Sequence, residues 1–182
     1  MLVLLDRDGV INRDRKEGIL SLDTFIFLPR AIEAVAMLTH AGFKTAICTN
    51  QSAVGRGLLP QTTLDAIHTY MCSQIEKAGG RIDRIYFAPD RPEGASDRRK
   101  PGPGMLLEAL RDFKAEASRT FFVGDMARDA EAAHKAGCPF ILVRSGQSEE
   151  TLAKGLPQGI TPTTICDDLY TAAQYILKSA GA

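Results

Sequence analysis

The chain has no surplus of either charge: 22 lysines and arginines face 22 aspartates and glutamates. A general nucleic-acid binder draws its affinity from excess positive charge, so the balance argues against that class. It leaves open a small anion held by a local basic cluster. Long apolar runs are also missing. The N-terminal one lasts only from Leu2 to Leu5, too short for a signal peptide, and no other approaches a membrane span. Cysteine is scarce. Cys48, Cys72, Cys138 and Cys166 form no C-x-x-C pair, and each sits in an apolar setting. Buried free thiols in a reducing compartment are the expectation, and with them a soluble cytoplasmic protein. No repeat, low-complexity tract or linker interrupts the chain, so residues 1–182 read as one domain.

What is present is an alternation of short apolar runs and helical patterns. Leu2–Leu5, Thr45–Cys48, Arg84–Ala88, Thr120–Val123 and Phe140–Val143 read as strands, with Ile165-Cys166 as a last one. Thr24–Leu28 reads as a short extended piece. Between the strands lie helical patterns around Ile32, Val35 and Ala36; Leu64, Ile67, His68, Met71, Cys72 and Ile75; and Leu106, Leu107, Leu110 and Phe113. An alanine-rich helix ends at Gly137, and Asp167 is placed to cap a final one through Leu169, Ala172, Ala173 and Ile176. Strands alternating with helices imply an α/β fold: a doubly wound, mostly parallel, Rossmann-like sheet. Little chain remains for a cap domain. Loops 12–17, 51–59 and 89–99 are expected to bound an open cleft.

Polar clusters follow three of these strands: Asp6/Asp8, Thr49/Asn50 and Asp125/Asp129. In a parallel sheet all three strand ends share one edge, where ligands bind. Two carboxylates one residue apart repel each other unless a cation lies between them, which points to a divalent metal. Arg99-Lys100-Pro101 adds positive charge from a loop. Carboxylates, a hydroxyl and a lysine together suit metal-assisted phosphoryl transfer. Singly, each cluster has a plainer reading: a solvated acidic turn, a helix cap, a strand-to-helix turn, an ordinary charge run. His40, His68 and His134 are isolated, and His68 on its apolar helix face reads as packing. The conjunction of four motifs in order is what outweighs these.

Asp6-x-Asp8-Gly9, Thr49-Asn50, Lys100 and Gly124-Asp125-x-x-x-Asp129 resemble, in order, the four motifs of the haloacid dehalogenase (HAD) superfamily of phosphatases. Leu5-Asp6-Arg7-Asp8-Gly9, Thr49-Asn50-Gln51-Ser52 with Arg56-Gly57, and Arg99-Lys100-Pro101 are similar to its histidinol-phosphate and heptose-bisphosphate phosphatase subgroup. The Gln-Ser…Arg-Gly continuation leans toward the heptose branch, which implies a step in ADP-heptose and lipopolysaccharide core assembly.

The resemblance implies a covalent route. Asp6 would attack phosphorus, and Asp8 would protonate the leaving sugar oxygen and then activate water. Their environments would push the two pKa values apart, leaving Asp6 ionised. Mg²⁺ would be held by Asp6, the Asp8 carbonyl and Asp125, with Asp129 in support. Thr49 and Lys100 would stabilise the phosphoryl oxygens. Asp14, Asn50, Gln51, Ser52 and Arg99 would contact a small phosphorylated sugar, and a monomer is expected. Two departures stand out. Subgroup members often carry a zinc loop of Cys and His, but residues 88–98 contain neither, so no zinc is expected and prolines and local pairs should order that loop. Met126 stands where close relatives often have lysine.

Histidinol-phosphate phosphatase and a broader sugar-phosphate phosphatase are the rivals within enzymes. A receiver-like phospho-acceptor switch is the rival outside them; it would release at most one phosphate per protein.

Overall fold

Residues 1–181 are described by a computed structural model. Its sheet has six strands: β1 (Leu2–Leu5), β2 (Lys44–Asn50), β3 (Arg84–Ala88), β4 (Phe121–Gly124), β5 (Phe140–Val143) and β6 (Thr164–Cys166). They lie in the order β3-β2-β1-β4-β5-β6, and every neighbouring pair is parallel. The helices are α1 (Ala31–His40), α2 (Ser52–Gly55), α3 (Gln61–Lys77), α4 (Gly104–Phe113), α5 (Ala127–Ala136), α6 (Ser148–Lys154) and α7 (Leu169–Ala180).

Central strand β1 is buried at every residue. Successive side chains of a strand point to opposite faces. Val3 and Leu5 accordingly enter the core beneath α1, α3 and α7, while Leu2 and Leu4 enter the one beneath α4 and α5. A strand covered on both faces needs an unbroken apolar run, which is why Leu-Val-Leu-Leu shows no alternation. β2 and β3 lie on one side of β1; the chain then crosses back and places β4 on the other. That reversal opens a crevice at the carboxyl ends of β1 and β4. The Asp6 amide donates to the Val123 carbonyl at 2.9 Å, so the two acidic strand ends leave the sheet side by side.

Local details differ from the sequence reading where tertiary contacts override pattern. Asp168, not Asp167, caps α7: its carboxylate accepts from the Thr171 amide at 2.8 Å, and Asp167 lies exposed one residue too early. The short extended piece starts at Phe25, because Thr24 ends a 3₁₀ turn over Leu22–Thr24; it pairs through Phe27 with Asn12, flanked by the Arg13 amide donating to the Ile26 carbonyl and the Leu28 amide to the Ile11 carbonyl, each at 2.9 Å. Thr120 precedes β4 rather than belonging to it. Cys48 and Cys138 are buried as expected, but Cys72 and Cys166 are only half-buried. Leu107 points outward from α4, whose buried face is Met105, Leu106, Ala109 and Leu110. No helix is long and apolar enough to cross a membrane among the described residues.

Candidate active site

β1 and β4 deliver the carboxylates. One oxygen each from Asp6, Asp125 and Asp129 lie within 4.8 Å of one another, all three residues buried. Asp6 leaves the end of β1; Asp125 follows β4; Asp129 stands in the first turn of α5 and accepts from the Met126 amide at 3.1 Å. Lys100 arrives from the loop before α4. Its fully buried ammonium lies 2.8 Å from Asp6 and 2.7 Å from Asp129.

Two glycines permit this crowding. A Cβ on Gly9 would stand 2.3 Å from Asp125 Oδ2, and one on Gly146 would stand 2.0 Å from it. Gly9 also adopts φ = 82°, a conformation side chains disfavour. The Gln147 amide donates to Asp125 Oδ2 at 2.6 Å, while Asp125 Oδ1 is buried without a partner.

Three carboxylates face one ammonium in this cluster, and the deficit is visible in the acidity of Asp6 and Asp125. Burial pushes Asp6 up to about 6, against the opposing pull of Lys100. Burial, then the charges of Asp129 and Asp6, push Asp125 up to about 8. An oxygen-lined nest of surplus negative charge with an orphaned carboxylate oxygen fits a hard divalent cation such as Mg²⁺.

Asp8 points the other way, into the cleft. Burial alone would raise its carboxyl, but the Arg7 charge and hydrogen bonds from Asn12, Arg7 and Gln51 hold it below the usual range. Thus the two aspartates are pushed apart, as general acid–base chemistry needs, but in the direction opposite to the one expected. The reason is placement: Asp6 is shut inside a carboxylate cluster, whereas Asp8 lies in the fork of a fully buried arginine.

The other candidates divide into braces and linings. Asn50 donates to the Lys100 carbonyl at 2.9 Å and accepts from the Lys100 amide at 3.0 Å. Both ends of its amide thus pin the lysine loop, and Asn50 also stands in the wall of the cleft. Gln51 donates to Asp8 Oδ2 at 2.8 Å and to Thr49 Oγ1 at 3.0 Å. Asp14, Asn50, Gln51, Ser52 and Arg99 line an open cleft of about 630 Å³. Arg99 donates to the Asp90 carbonyl at 2.9 Å, and Asp90 in turn accepts from the Ser96 amide at 3.1 Å. Local pairs of this kind order the loop that has neither Cys nor His.

The structure adds residues that the sequence reading missed. Arg128 lines the cleft from α5, and its Nε is buried without a partner. Burial would lower its pKa, but Asp129, Asp6, Asp125 and Asp14 together raise it. An available signal was its place: a cation in the first turn of a helix opposes the macrodipole and needs a separate reason. Ser145, Gly146 and Gln147 close the site from the end of β5. Ser145 donates to the Gly9 carbonyl at 2.8 Å, and Gln147 bonds Asp14 through its side chain. Met126, by contrast, is not among the cleft's lining residues.

Comparison with known proteins decides the family. A HAD-hydrolase-like family model matches residues 97–172. D-glycero-beta-D-manno-heptose-1,7-bisphosphate 7-phosphatase of Bordetella bronchiseptica is 40% identical over 180 residues, covering 98% of this chain and 99% of the relative. The chain belongs to the heptose-bisphosphate 7-phosphatase family of HAD-like hydrolases. The family's protein from Pseudomonas aeruginosa is 40% identical over 177 residues, covering 97% of this chain and 98% of that one. The crystal structure of the B. bronchiseptica phosphatase, complexed with magnesium and phosphate, superposes with a TM-score of 0.93 over 98% of both chains.

The raised carboxyl values make a test of the metal centre in this family member. In the unfolded chain both groups titrate near 3.8, but folded they titrate near 6 and 8. The metal-free fold therefore binds more protons than the unfolded chain across that window. Their contribution to stability is present at low pH and is lost as pH rises through those values. The melting temperature without metal should fall between pH 5 and pH 8.5. Saturating Mg²⁺ should raise it more at pH 8 than at pH 5; an equal gain at both would remove Asp6 and Asp125 from the metal site.

Proposed function

We propose that this chain is a Mg²⁺-dependent phosphomonoesterase that removes the 7-phosphate of D-glycero-D-manno-heptose 1,7-bisphosphate. The observation that carries this is the meeting of Asp6, Asp125 and Lys100 at the β1/β4 crevice, with one Asp125 oxygen left free. Asp6, Asp125 and the Asp8 carbonyl would hold the cation, and Asp129 would steady the lysine. When bound, the metal offsets phosphoryl charge and keeps the nearby carboxyls ionised.

Asp6 attacks phosphorus, the bond between phosphorus and the sugar oxygen breaks, and that oxygen takes a proton from Asp8. Asp8 is held ionised in the free protein; a phosphate dianion arriving beside it raises its pKa and favours proton uptake first. Water then attacks the aspartyl-phosphate, giving its proton to Asp8 and restoring Asp6. Lys100 and Thr49 face the phosphoryl oxygens where charge builds up. Two displacements replace one difficult step, the general merit of a covalent intermediate.

The leaving sugar extends into the cleft, whose walls hold Arg56, Arg99 and Arg128 together with Asp14 and Glu150. Burial lowers the Arg99 pKa, and the charges of Arg128 and Arg56 lower it further. Three guanidinium groups that repel one another suit a second phosphate, which would offset them together. Arg99→Ala should weaken kcat/KM for the 1,7-bisphosphate by about 10- to 100-fold, and for a 7-monophosphate by less than threefold. Equal losses would remove Arg99 from recognition of the distal phosphate.

A phosphate-release panel with Mg²⁺ tests the whole reading, comparing both anomers of the heptose bisphosphate with histidinol phosphate. Many turnovers and preference for a heptose support it. Preference for histidinol phosphate reassigns the substrate. A single phosphate released per chain makes the protein a phospho-acceptor switch instead.

A further inference from the structure

Arg7, which stands between the two aspartates of the opening motif in sequence, is fully buried, and its guanidinium has two partners. On one side Nη2 donates to Asp8 Oδ1 at 2.8 Å and to Oδ2 at 3.0 Å, and Nε donates to Oδ1 at 3.3 Å. On the other, Nη1 lies 3.2 Å from Nε2 of His68, a residue of α3 that does not line the cleft. A guanidinium can only donate, so at this contact the imidazole must accept. His68 is therefore neutral, with its proton on Nδ1. Burial, and then the Arg7 charge, push its pKa down to about 4, so this form persists at neutral pH.

Packing alone does not call for histidine here. His68 shares a buried stripe with Leu64, Ile67, Met71 and Ile75, and its ring meets that of Phe87 edge-on, with centroids 6.3 Å apart. An apolar ring would fill that space. Only an acceptor completes Arg7, whose third nitrogen would otherwise be a buried donor without a partner.

We propose that His68 is a positioning residue, whose Nε2 fixes the Arg7 fork and through it the orientation of the Asp8 carboxylate at the cleft. The proposal rests on the reading of Asp8 as the group that moves the proton. Asn12 and Gln51 also hold Asp8, donating to it at 2.8 Å each, so losing the Arg7 fork loosens the carboxylate without freeing it.

The test compares His68→Phe, which keeps a ring against Phe87 but has no acceptor, with His68→Gln, whose amide oxygen can reach Arg7. With the heptose bisphosphate and Mg²⁺, His68→Phe should lower kcat about 10-fold and leave KM within about twofold, because a misplaced reacting group costs rate more than binding. His68→Gln should recover kcat to within about threefold of wild type. A wild-type rate in His68→Phe, equal losses in both variants, or a change confined to KM overturns the proposal.

Nitrogen NMR of the wild-type imidazole bears on it even if a variant fails to fold. A pyridine-like Nε2 supports the contact, and a protonated Nε2 overturns it. No turnover by the wild-type chain overturns the reading of the site and this proposal with it. Turnover with unaffected His68 variants overturns this proposal alone.

Discussion

Asp6→Asn is expected to cut turnover by about 10³-fold or more while leaving the fold intact. Asparagine keeps the shape of the side chain but lacks the anionic oxygen that would attack phosphorus, and no neighbouring group can replace a missing nucleophile at that point. Its stability should not suffer. Asp6 is buried and pushed up to about 6, so the wild-type chain holds a costly charge there at neutral pH. Lys100 retains Asp129 at 2.7 Å as a partner. The melting temperature without Mg²⁺ should therefore match or exceed that of the wild type. Acid-quenched reactions followed by intact-mass measurement should show a phosphorylated species in the wild type and none in Asp6→Asn. Activity within 10-fold of wild type would reassign the nucleophile.

Lys100→Met should do the reverse to stability. Methionine fills much of the same volume but removes the one ammonium lying between Asp6 and Asp129. Breaking a buried pair from one side leaves uncompensated charge and costs about 3–5 kcal/mol. Here two carboxylates lose the same partner, and Asp6, whose carboxyl Lys100 holds down against burial, should then keep its proton to higher pH. Mg²⁺ should restore part of the loss, because a ligand at about 100 times its Kd contributes about 2.7 kcal/mol to the folded state. Turnover should still fall by about 10²- to 10³-fold at saturating metal if, as proposed, Lys100 is the donor that faces the transferring oxygens. Denaturant unfolding with and without Mg²⁺ measures the first effect, and steady-state kinetics the second. A variant as stable as the wild type without metal would mean that the lysine does not compensate the acidic cluster.

The buried strands were readable from their apolar runs because each is covered on both faces, and that burial leaves a purely local mark. The acidic turns were readable for the same reason. Asp6 follows an apolar run directly and Asp125 follows one after a single glycine, so their position at a strand end needs no knowledge of the neighbouring strands; Thr49 likewise follows such a run, although β2 continues through it to Asn50. The α7 cap was misplaced by one residue because Asp167 and Asp168 are chemically alike. Only the backbone conformation, extended at Asp168, selects which side chain can reach the Thr171 amide. Asn50 was readable as part of the site but not as a brace, since the loop carbonyl and amide it holds lie 50 residues away in the chain.

By itself, then, the order of residues determined an alternating α/β chain with candidate carboxylates and a threonine at strand ends, and a candidate lysine in a loop. Tertiary structure decided what surrounds them. Asp6 became the carboxyl pushed up and Asp8 the one held down. Arg128 and Gln147 turned into the cleft, and His68 became Arg7's partner instead of simple filling. Strand position follows from apolar pattern, which is local. Acidity and orientation follow from charges and donors a few ångströms away in space but tens of residues away in sequence, and only the folded chain brings those together.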